Sequence, residues 1–191
     1  MIKLHKKNIE TARLLLQPYH IKYYSAVFAL IHKNKPRLIH SFPNLLKATE
    51  TADATKDYVQ QKMFDWNKNK AFAFMIFHKE TNQLIGHFNL KDIDWKAHQC
   101  ELAYFIDEDF EKSGLISEAL NSLLQICFQE LNLNRVIARI VTTNIPSQKV
   151  AEKSGLRYEG AFYKDYTTYD NKVVDTYRYG ISKEEYEKNS N

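Results

Sequence analysis

The sequence predicts an α/β fold with a mixed, mostly antiparallel sheet that contains one parallel β-α-β crossover. Two strand-like segments, 99–106 and 135–141, are joined by a strongly amphipathic helix, an arrangement typical of a parallel pair. Pairs of strand-like segments separated by polar turns occur at 71–93 and 156–181, and both are typical of antiparallel hairpins. A chain of 191 residues fits one compact unit, so we expect a single domain over 1–191.

The N-terminal third predicts one strand followed by helices. A run of leucines indicates a strand over Ala12–Pro18, which its final proline closes. Residues Ile21–His32 have a helical pattern, and the proline-bounded segment Pro36–Pro43 is predicted to be a loop. Thr51 is a suitable N-cap for a helix that runs to Trp66.

The central helix begins after Gly114 and carries its apolar residues on one stripe. The stripe consists of Leu115, Ala119, Leu120, Leu123, Leu124, Cys127, Phe128 and Leu131. A shorter helix over Asn144–Ser154 has a proline in its first turn and Gly155 as its C-terminal stop.

Composition excludes several classes of protein. A hydrophobic fraction of 44% is enough to bury a core, so a disordered chain is excluded. The longest apolar run, Ala71–Phe77, is far shorter than the ~20 residues of a membrane-spanning helix. Residues Met1–Asn8 are not followed by the apolar segment of a signal peptide, so we expect none. Cys100 and Cys127 have no metal or redox spacing, which predicts reduced thiols in a cytoplasmic protein.

Charge and motifs narrow the ligand class. The net charge of +4 suits an anionic ligand, but the basic residues are too few and too dispersed to indicate nucleic-acid binding. The spacing of the five glycines excludes a dinucleotide-binding turn and a P-loop. The nucleophile motif G-x-S-x-G and the zinc motif H-E-x-x-H do not occur, and we expect no metal site.

The turn before the central helix is a candidate phosphate site. The amides of Lys112, Ser113, Gly114, Leu115 and Ile116 precede or open the helix, where free N–H groups and the helix dipole favour an anion. The glycine lets a ligand approach the backbone closely. From spacing alone, an ordinary strand-to-helix turn is the alternative.

Four segments in the same order resemble the RimJ/RimL-like ribosomal-protein N-acetyltransferases of the GNAT superfamily. They are Thr11–Pro18, Tyr104–Leu120, Asn144–Gly160 and a C-terminal set of Asp175, Tyr179 and Lys183–Tyr186. The resemblance implies the GNAT fold, in which the two parallel strands splay apart and acetyl-CoA binds with its pyrophosphate on the candidate phosphate turn.

One departure from the family's pattern affects this turn. Glu111 stands where the family usually has Gln or Arg, and Lys112 replaces the first glycine of its loop. A carboxylate beside a pyrophosphate is unfavourable, and Lys112 could offset its charge by turning inward.

Transfer of an acetyl group to an amine needs a group that takes up the amine's proton. Strand alternation places Glu101, Ala103 and Phe105 on one face, where Glu101 is the only charge and the small alanine leaves space beside it. Glu101 is therefore the candidate base, and the resemblance supports it because the family often has a glutamate here. A solvated carboxylate at the end of a strand is the alternative.

The resemblance implies further contacts with the cofactor. Ser147 is expected to donate a hydrogen bond to the departing CoA thiolate, although a first-turn serine that satisfies backbone groups is the alternative. Asn144 is expected at the pantetheine arm, along which the backbone of Phe105 and Ile106 would pair like an added strand. Lys149 either reaches a phosphate or lies on a solvated helix face.

The function implied is direct transfer of an acetyl group from acetyl-CoA to a primary amine. A protein N-terminus or a small amine is favoured over lysine, because the pKa of an α-amine (~8) lies below that of a lysine (~10.4). A non-catalytic CoA-binding sensor or scaffold is the alternative, motivated by Glu111 and Lys112. A monomer and a homodimer both fit.

Neighbouring tyrosines at 163, 166 and 169 either line an acceptor groove or pack within the last hairpin.

Overall fold

Eight strands form one sheet in the computed structural model, which describes residue 4 and residues 8–189. They are β1 (Ile9–Glu10), β2 (Leu14–Pro18), β3 (Phe72–His78), β4 (Leu84–Asp94), β5 (Gln99–Ile106), β6 (Arg135–Val141), β7 (Arg157–Thr167) and β8 (Val173–Ser182). Their order is β1-β2-β3-β4-β5-β6-β8-β7, and every neighbouring pair is antiparallel except β5 and β6. The predicted mixed sheet with one parallel crossover is confirmed.

Seven α-helices accompany the sheet within the described residues. They are α1 (Tyr24–Lys33), α2 (Lys35–Leu38), α3 (Pro43–Ala48), α4 (Ala52–Asn67), α5 (Leu115–Gln125), α6 (Ile145–Lys153) and α7 (Lys183–Asn189). A π-helical turn over Ile126–Glu130 extends α5, and the predicted apolar stripe stays buried through it. None of the helices in the described part of the chain is long and apolar enough to cross a membrane. The expectation that no signal peptide is present concerns residues 1–8, most of which lie outside the described residues.

The loop predicted over Pro36–Pro43 is wrong for part of that segment. Pro36 lies in the first turn of α2, and Pro43 opens α3. A proline is tolerated in the first turn because the N–H group that it lacks has no partner within the helix there. Both prolines therefore mark helix starts, and only the residues between α2 and α3 form a loop. The strand β1 and the helix α7 were not predicted, since such short elements carry little periodic signal.

Two hydrophobic cores pack on opposite faces of the sheet. Alternation along β3 sends Phe74 and Ile76 to the face covered by α5, while Ala73 and Met75 contact the core formed with α1, α3 and α4. The two cysteines are buried, as expected of apolar filler. Both faces of the sheet are therefore covered, and most of the buried side chains are apolar.

The sheet opens between β5 and β6. The parallel ladder consists of Gln99–Arg135, Cys100–Val136 and Glu101–Ile137, and no pair follows. Beyond this point β6 continues to pair with β8 up to Val141. The gap therefore widens toward the C-terminal end of β5, which leads into the turn before α5. The two parallel strands splay apart, as the fold prediction expects.

Shortening a stripe residue of α5 is expected to destabilise the fold. Leu120 is fully buried, and truncation to alanine removes transfer free energy and leaves a cavity. We expect Leu120→Ala to lower the free energy of unfolding by about 3 kcal/mol in a denaturant titration. The exposed neighbour Asn121 provides the control, and Asn121→Ala is expected to change stability by less than about 0.5 kcal/mol. Similar stabilities for the two variants would contradict the assignment of this helix face.

Candidate active site

A cleft of about 610 Å³ lies where the sheet opens, with walls from β4, β5, β6, α3, α4 and the start of α6. Three of the candidate catalytic and cofactor-binding residues line it: Glu101, Asn144 and Ser147. The backbone positions at Phe105 and Ile106, the turn over 112–116 and Lys149 lie outside this lining. The structure thus brings the candidate transfer residues together and places the candidate phosphate turn apart from them.

Glu101 lies in the cleft between two cations. It is 8% exposed, and its Oε1 is 2.7 Å from Nζ of Lys91 while its Oε2 is 3.0 Å from Nε of Arg139. Lys91 is its direct cross-strand partner on β4, and Arg139 projects from β6. The alternative of a solvated carboxylate at a strand end is therefore wrong. Sequence reasoning missed both cations because they come from neighbouring strands rather than from β5 itself.

The start of α6 presents a free hydroxyl to the cleft. Oδ1 of Asn144 accepts a hydrogen bond from the backbone N–H of Ser147 at 3.3 Å and caps the helix. Ser147 Oγ has no hydrogen-bond partner among the residues that the structure describes, so the alternative in which this hydroxyl satisfies backbone groups is wrong. The hydroxyl of Tyr104 donates to the carbonyl of Ser147 at 3.2 Å and ties β5 to α6 across the gap.

The turn before α5 has the backbone that an anion site needs. Lys112 and Gly114 have φ angles of 56° and 79°, in the left-handed region. Gly114 is the N-cap of α5. Because it has no side chain, it makes no capping hydrogen bond to the N–H groups of the first helical turn. Arg13 holds the turn in place by donating to the carbonyl of Ser113 at 2.9 Å and pairing with Glu118 at 2.7 Å. Since the side chains of Leu115 and Ile116 are buried, only their backbone amides can serve a ligand.

Arg37 neutralises the carboxylate that departs from the family's pattern. Its guanidinium forms an ion pair with Glu111 and also donates to the carbonyl of Ile106 at 3.3 Å. The expectation that Lys112 offsets this charge is therefore wrong, because Lys112 is exposed and the partner comes from α2. The sequence could not indicate this contact, since α2 lies in the segment that was predicted to be a loop.

Burial perturbs the titratable groups on the β4 side of the cleft. Nδ1 of His87 is 2.8 Å from the hydroxyl of Tyr19, and burial lowers the pKa of His87 to about 3. Burial and the nearby charge of Lys91 lower the pKa of Lys62, which Asp65 and Asp92 partly counter. His87 is therefore neutral at pH 7 and cannot supply a proton there.

Ser41 lines the cleft and is hydrogen-bonded to Tyr166 and to Asn144. Its carbonyl accepts a hydrogen bond from the hydroxyl of Tyr166 at 3.0 Å, and its Oγ accepts one from Nδ2 of Asn144 at 3.3 Å. Burial raises the pKa of Tyr166 to about 12. Tyr166 lines the cleft, whereas Tyr163 is 81% exposed and Tyr169 packs on the core near α3. Of the three tyrosines, Tyr166 therefore lines the cleft, and whether the cleft binds the acceptor stays a prediction.

Two further observations concern a phosphate contact at Lys149 and the binding of a metal ion. Lys149 is exposed on α6, so the alternative of a solvated helix face describes its position. Across residues 8–189, no three His, Cys, Asp or Glu side chains are grouped so that they could hold a metal ion.

Comparison with known proteins identifies a family. A model described as "Acetyltransferase (GNAT) domain" matches residues 13–157. The chain is 30% identical over 182 residues to the uncharacterized N-acetyltransferase YnaD of Bacillus subtilis (strain 168), covering 94% of this chain and 99% of that protein. It is 30% identical over 134 residues to the ribosomal-protein-serine acetyltransferase of Escherichia coli (strain K12), covering 70% and 73%. The solved structure of RimL, a ribosomal-protein alpha-N-acetyltransferase in complex with coenzyme A, has a TM-score of 0.84 at 20% identity, covering 92% and 98%, which is a similarity of fold.

Lowering the pH is expected to destabilise the protein through His87. Its pKa of about 3 in the folded protein lies below the ordinary histidine value of 6.5, so the unfolded chain takes up a proton first as the pH falls. The stabilising contribution is present above pH ~6.5 and is lost progressively toward pH ~3. Between pH 7 and pH 5 we expect the protein to lose about 2 kcal/mol more unfolding free energy than His87→Gln does, measured by denaturant titration. Equal losses in the two proteins would show that His87 is not buried in its neutral form.

Proposed function

Because the chain belongs to the GNAT acetyltransferase family, we propose that it transfers an acetyl group from acetyl-CoA directly to the N-terminal α-amine of a protein. The chain is an N-acetyltransferase related to ribosomal-protein N-acetyltransferases. The observation that carries the proposal is the gap between β5 and β6, which begins beside Glu101 in the cleft and widens toward the end of β5 that leads into the turn at Gly114.

The residues present fit acetyl-CoA. The amides of 112–116 would bind its pyrophosphate, since a helix N-terminus with a glycine cap favours an anion there. Beyond Glu101, the edge of β5 that faces β6 has no ladder partner, which leaves room for the pantetheine arm to pair along Phe105 and Ile106. Asn144 would contact the arm while it caps α6, and Lys149 is exposed and free to reach toward a phosphate.

Glu101 and Ser147 supply the acid–base chemistry of the proposed transfer. When bound, acetyl-CoA provides the acetyl thioester. Glu101 accepts the proton that the amine loses, through a water molecule, because each of its oxygens already contacts a cation while keeping a free lone pair. Ser147 Oγ, which has no partner among the described residues, donates a hydrogen bond to the departing thiolate.

The acceptor follows from the pKa of the amine. An α-amine (pKa ~8) is neutral at pH 7 far more often than a lysine (pKa ~10.4), and only the neutral amine attacks. A protein N-terminus agrees with the activities named for the relatives, and a small primary amine is the second candidate acceptor. The alternative of a non-catalytic sensor or scaffold was based on the negative charge of Glu111. Because Arg37 forms an ion pair with Glu111, the main physical argument for this alternative is removed.

Acetyl-CoA is expected to stabilise the protein in a thermal-shift titration. A ligand that binds only the folded state adds RT ln(1 + [L]/Kd), about 2.7 kcal/mol at 100 times Kd. Gly114→Val should abolish the shift, since a β-branched residue is strained at a φ of 79°. Arg37→Met should weaken binding by leaving Glu111 unpaired, and the double variant Arg37→Met/Glu111→Gln should recover it. No shift at millimolar acetyl-CoA in the unmodified protein would contradict the proposed cofactor.

Replacing the proposed base is expected to slow transfer without weakening cofactor binding. Glu101→Gln keeps the shape of the side chain and should lower turnover by about 10²- to 10⁴-fold at pH 7. The deficit should shrink as the pH rises, because hydroxide in the solvent then takes up the proton that the attacking amine loses. Ser147→Ala should cost less, since water can replace a hydroxyl donor. The measurement is the release of free CoA thiol with amine acceptors between pH 6 and pH 9, and unchanged turnover of Glu101→Gln across that range would rule out Glu101 as the base.

A further inference from the structure

The wall of the cleft contains a buried side chain whose hydrogen bonding is incomplete. Asn89 on β4 is 7% exposed and lines the cleft. Four buried side-chain atoms in the described part of the chain lack a hydrogen-bond partner, and only Oδ1 of Asn89 belongs to a residue of this lining. A buried carbonyl oxygen without a donor costs free energy, so a ligand or a water molecule that donates to it is expected.

The donors of the neighbouring side chains on β4 already have other partners. Asn89 lies between His87 and Lys91 on the face of β4 that lines the cleft. Nζ of Lys91 donates to Oε1 of Glu101 at 2.7 Å. Nδ1 of His87 is 2.8 Å from the hydroxyl of Tyr19. The chain therefore leaves the oxygen of Asn89 for a donor that comes from outside the described residues.

The amide can turn its oxygen toward the cleft without breaking a hydrogen bond. Rotation about the last side-chain bond of asparagine exchanges Oδ1 and Nδ2, and this torsion is broad. Neither atom of Asn89 is hydrogen-bonded to another described residue. The side chain is thus free to select the orientation that its ligand requires.

Asn89 and the proposed base face the same part of the cleft. Asn89 is the cross-strand partner of Ala103, and Lys91 is that of Glu101. Asn89 is therefore the diagonal neighbour of Glu101, at a separation of about 7–8 Å between Cα atoms. Ala103 lies between them and fills little of this space. The gap fits an amine nitrogen and one water molecule.

The chemistry of the proposed transfer requires a second acceptor beside Glu101. A neutral primary amine has one lone pair and two N–H groups. When the lone pair points at the acetyl carbon, both N–H groups point away and need acceptors. The water on Glu101 accepts from one of them. As the new bond to carbon forms, the nitrogen gains positive charge, which strengthens the hydrogen bond that the other N–H group donates.

We propose that Oδ1 of Asn89 accepts a hydrogen bond from the acceptor amine, so that Asn89 is a catalytic residue that selects primary amines. The N–C bond forms, the C–S bond breaks with its electron pair leaving on the thiolate, and one amine proton passes through water to Glu101. Asn89 takes no proton, because it holds the N–H group that stays in the amide product. The inference rests on the proposed function, because it assigns a residue to that transfer.

Matched acceptors test the proposal, and they distinguish the two sources of a primary amine. The peptide pair is Ser-Ala-Ala-Ala and its N-methyl-Ser analogue with amidated C-termini, and the small-molecule pair is ethanolamine and N-methylethanolamine. The N-methyl member of each pair lacks the N–H group that Asn89 would hold. We expect about tenfold higher kcat/KM for the primary amine of at least one pair, and that pair identifies the source. Equal kcat/KM within both pairs would overturn the proposal.

Variants assign this preference to the oxygen of Asn89. Asn89→Leu has a similar shape but no acceptor, and it should lower the preference by about tenfold. Asn89→Asp keeps an acceptor oxygen in either protonation state and has no N–H group, so it should retain the preference. Asn121 is exposed and outside the cleft lining, so Asn121→Leu is the matched control and should also retain it.

Two results with these variants would contradict the assignment. An Asn89→Leu protein that melts like the unmodified protein and keeps the preference would show that only water binds Oδ1. An Asn89→Asp protein that loses the preference as Asn89→Leu does would assign it to the amide nitrogen. Either result overturns the proposal.

Binding separates this inference from the proposed function. Isothermal titration into the protein with CoA present requires no acetyl transfer, and it compares Ser-Ala-Ala-Ala and ethanolamine with counterparts that carry hydrogen in place of the amino group. Tighter binding of an amine, reduced selectively by Asn89→Leu, supports the contact even where no thiol is released and the proposed function fails. No such selective loss, together with thiol release from an amine, would leave the transferase function in place and overturn the role of Asn89. No advantage of either amine over its counterpart would overturn it as well.

Discussion

The early end of the parallel ladder between β5 and β6 is the constraint on which the rest of the structure depends. After Glu101 and Ile137 the strands share no pair, and β6 continues its hydrogen bonding with β8. A sheet paired to its ends would leave no space, because neighbouring strands lie only about 4.8 Å apart. The divergence places a cleft within the sheet itself, and the hydrogen bond from Tyr104 to the carbonyl of Ser147 fixes α6 across the opening.

Glu101 occupies the last position of β5 that pairs with β6, so the charge in the cleft is placed by the sheet and not by a loop. Its partners Lys91 and Arg139 come from the two strands that flank β5. A buried carboxylate without such partners would carry a large desolvation cost. The three side chains therefore form one charged group on three adjacent strands, and the rigidity of the sheet preorganises it.

The turn before α5 depends on arginines that are distant in the sequence. Arg13, just before β2, holds the carbonyl of Ser113, and Arg37 on α2 holds the carbonyl of Ile106. Each arginine also pairs with a carboxylate, Glu118 in the first case. The contacts of the arginines with the turn itself are to carbonyl oxygens and carboxylates, so they fix its path without using the amides that open α5. The amides thus remain free for an anion, and the acidic residue that departs from the family's pattern is neutralised.

Local sequence was sufficient to predict the bounds of β5 and β6 to the residue, because buried strands leave an apolar pattern in the chain. It also pointed to Glu101 and Ser147, which the structure brings into one cleft. Local sequence could not predict which charged residues surround Glu101 and Ser147. Lys91 and Arg139 become neighbours of Glu101 only through the register of the strands. Arg37 contacts the turn from a short helix, α2, which was predicted to be a loop because prolines bound that segment. The charge balance of the site is therefore a tertiary property, because the cations that accompany a buried carboxylate depend on which segments pack beside it.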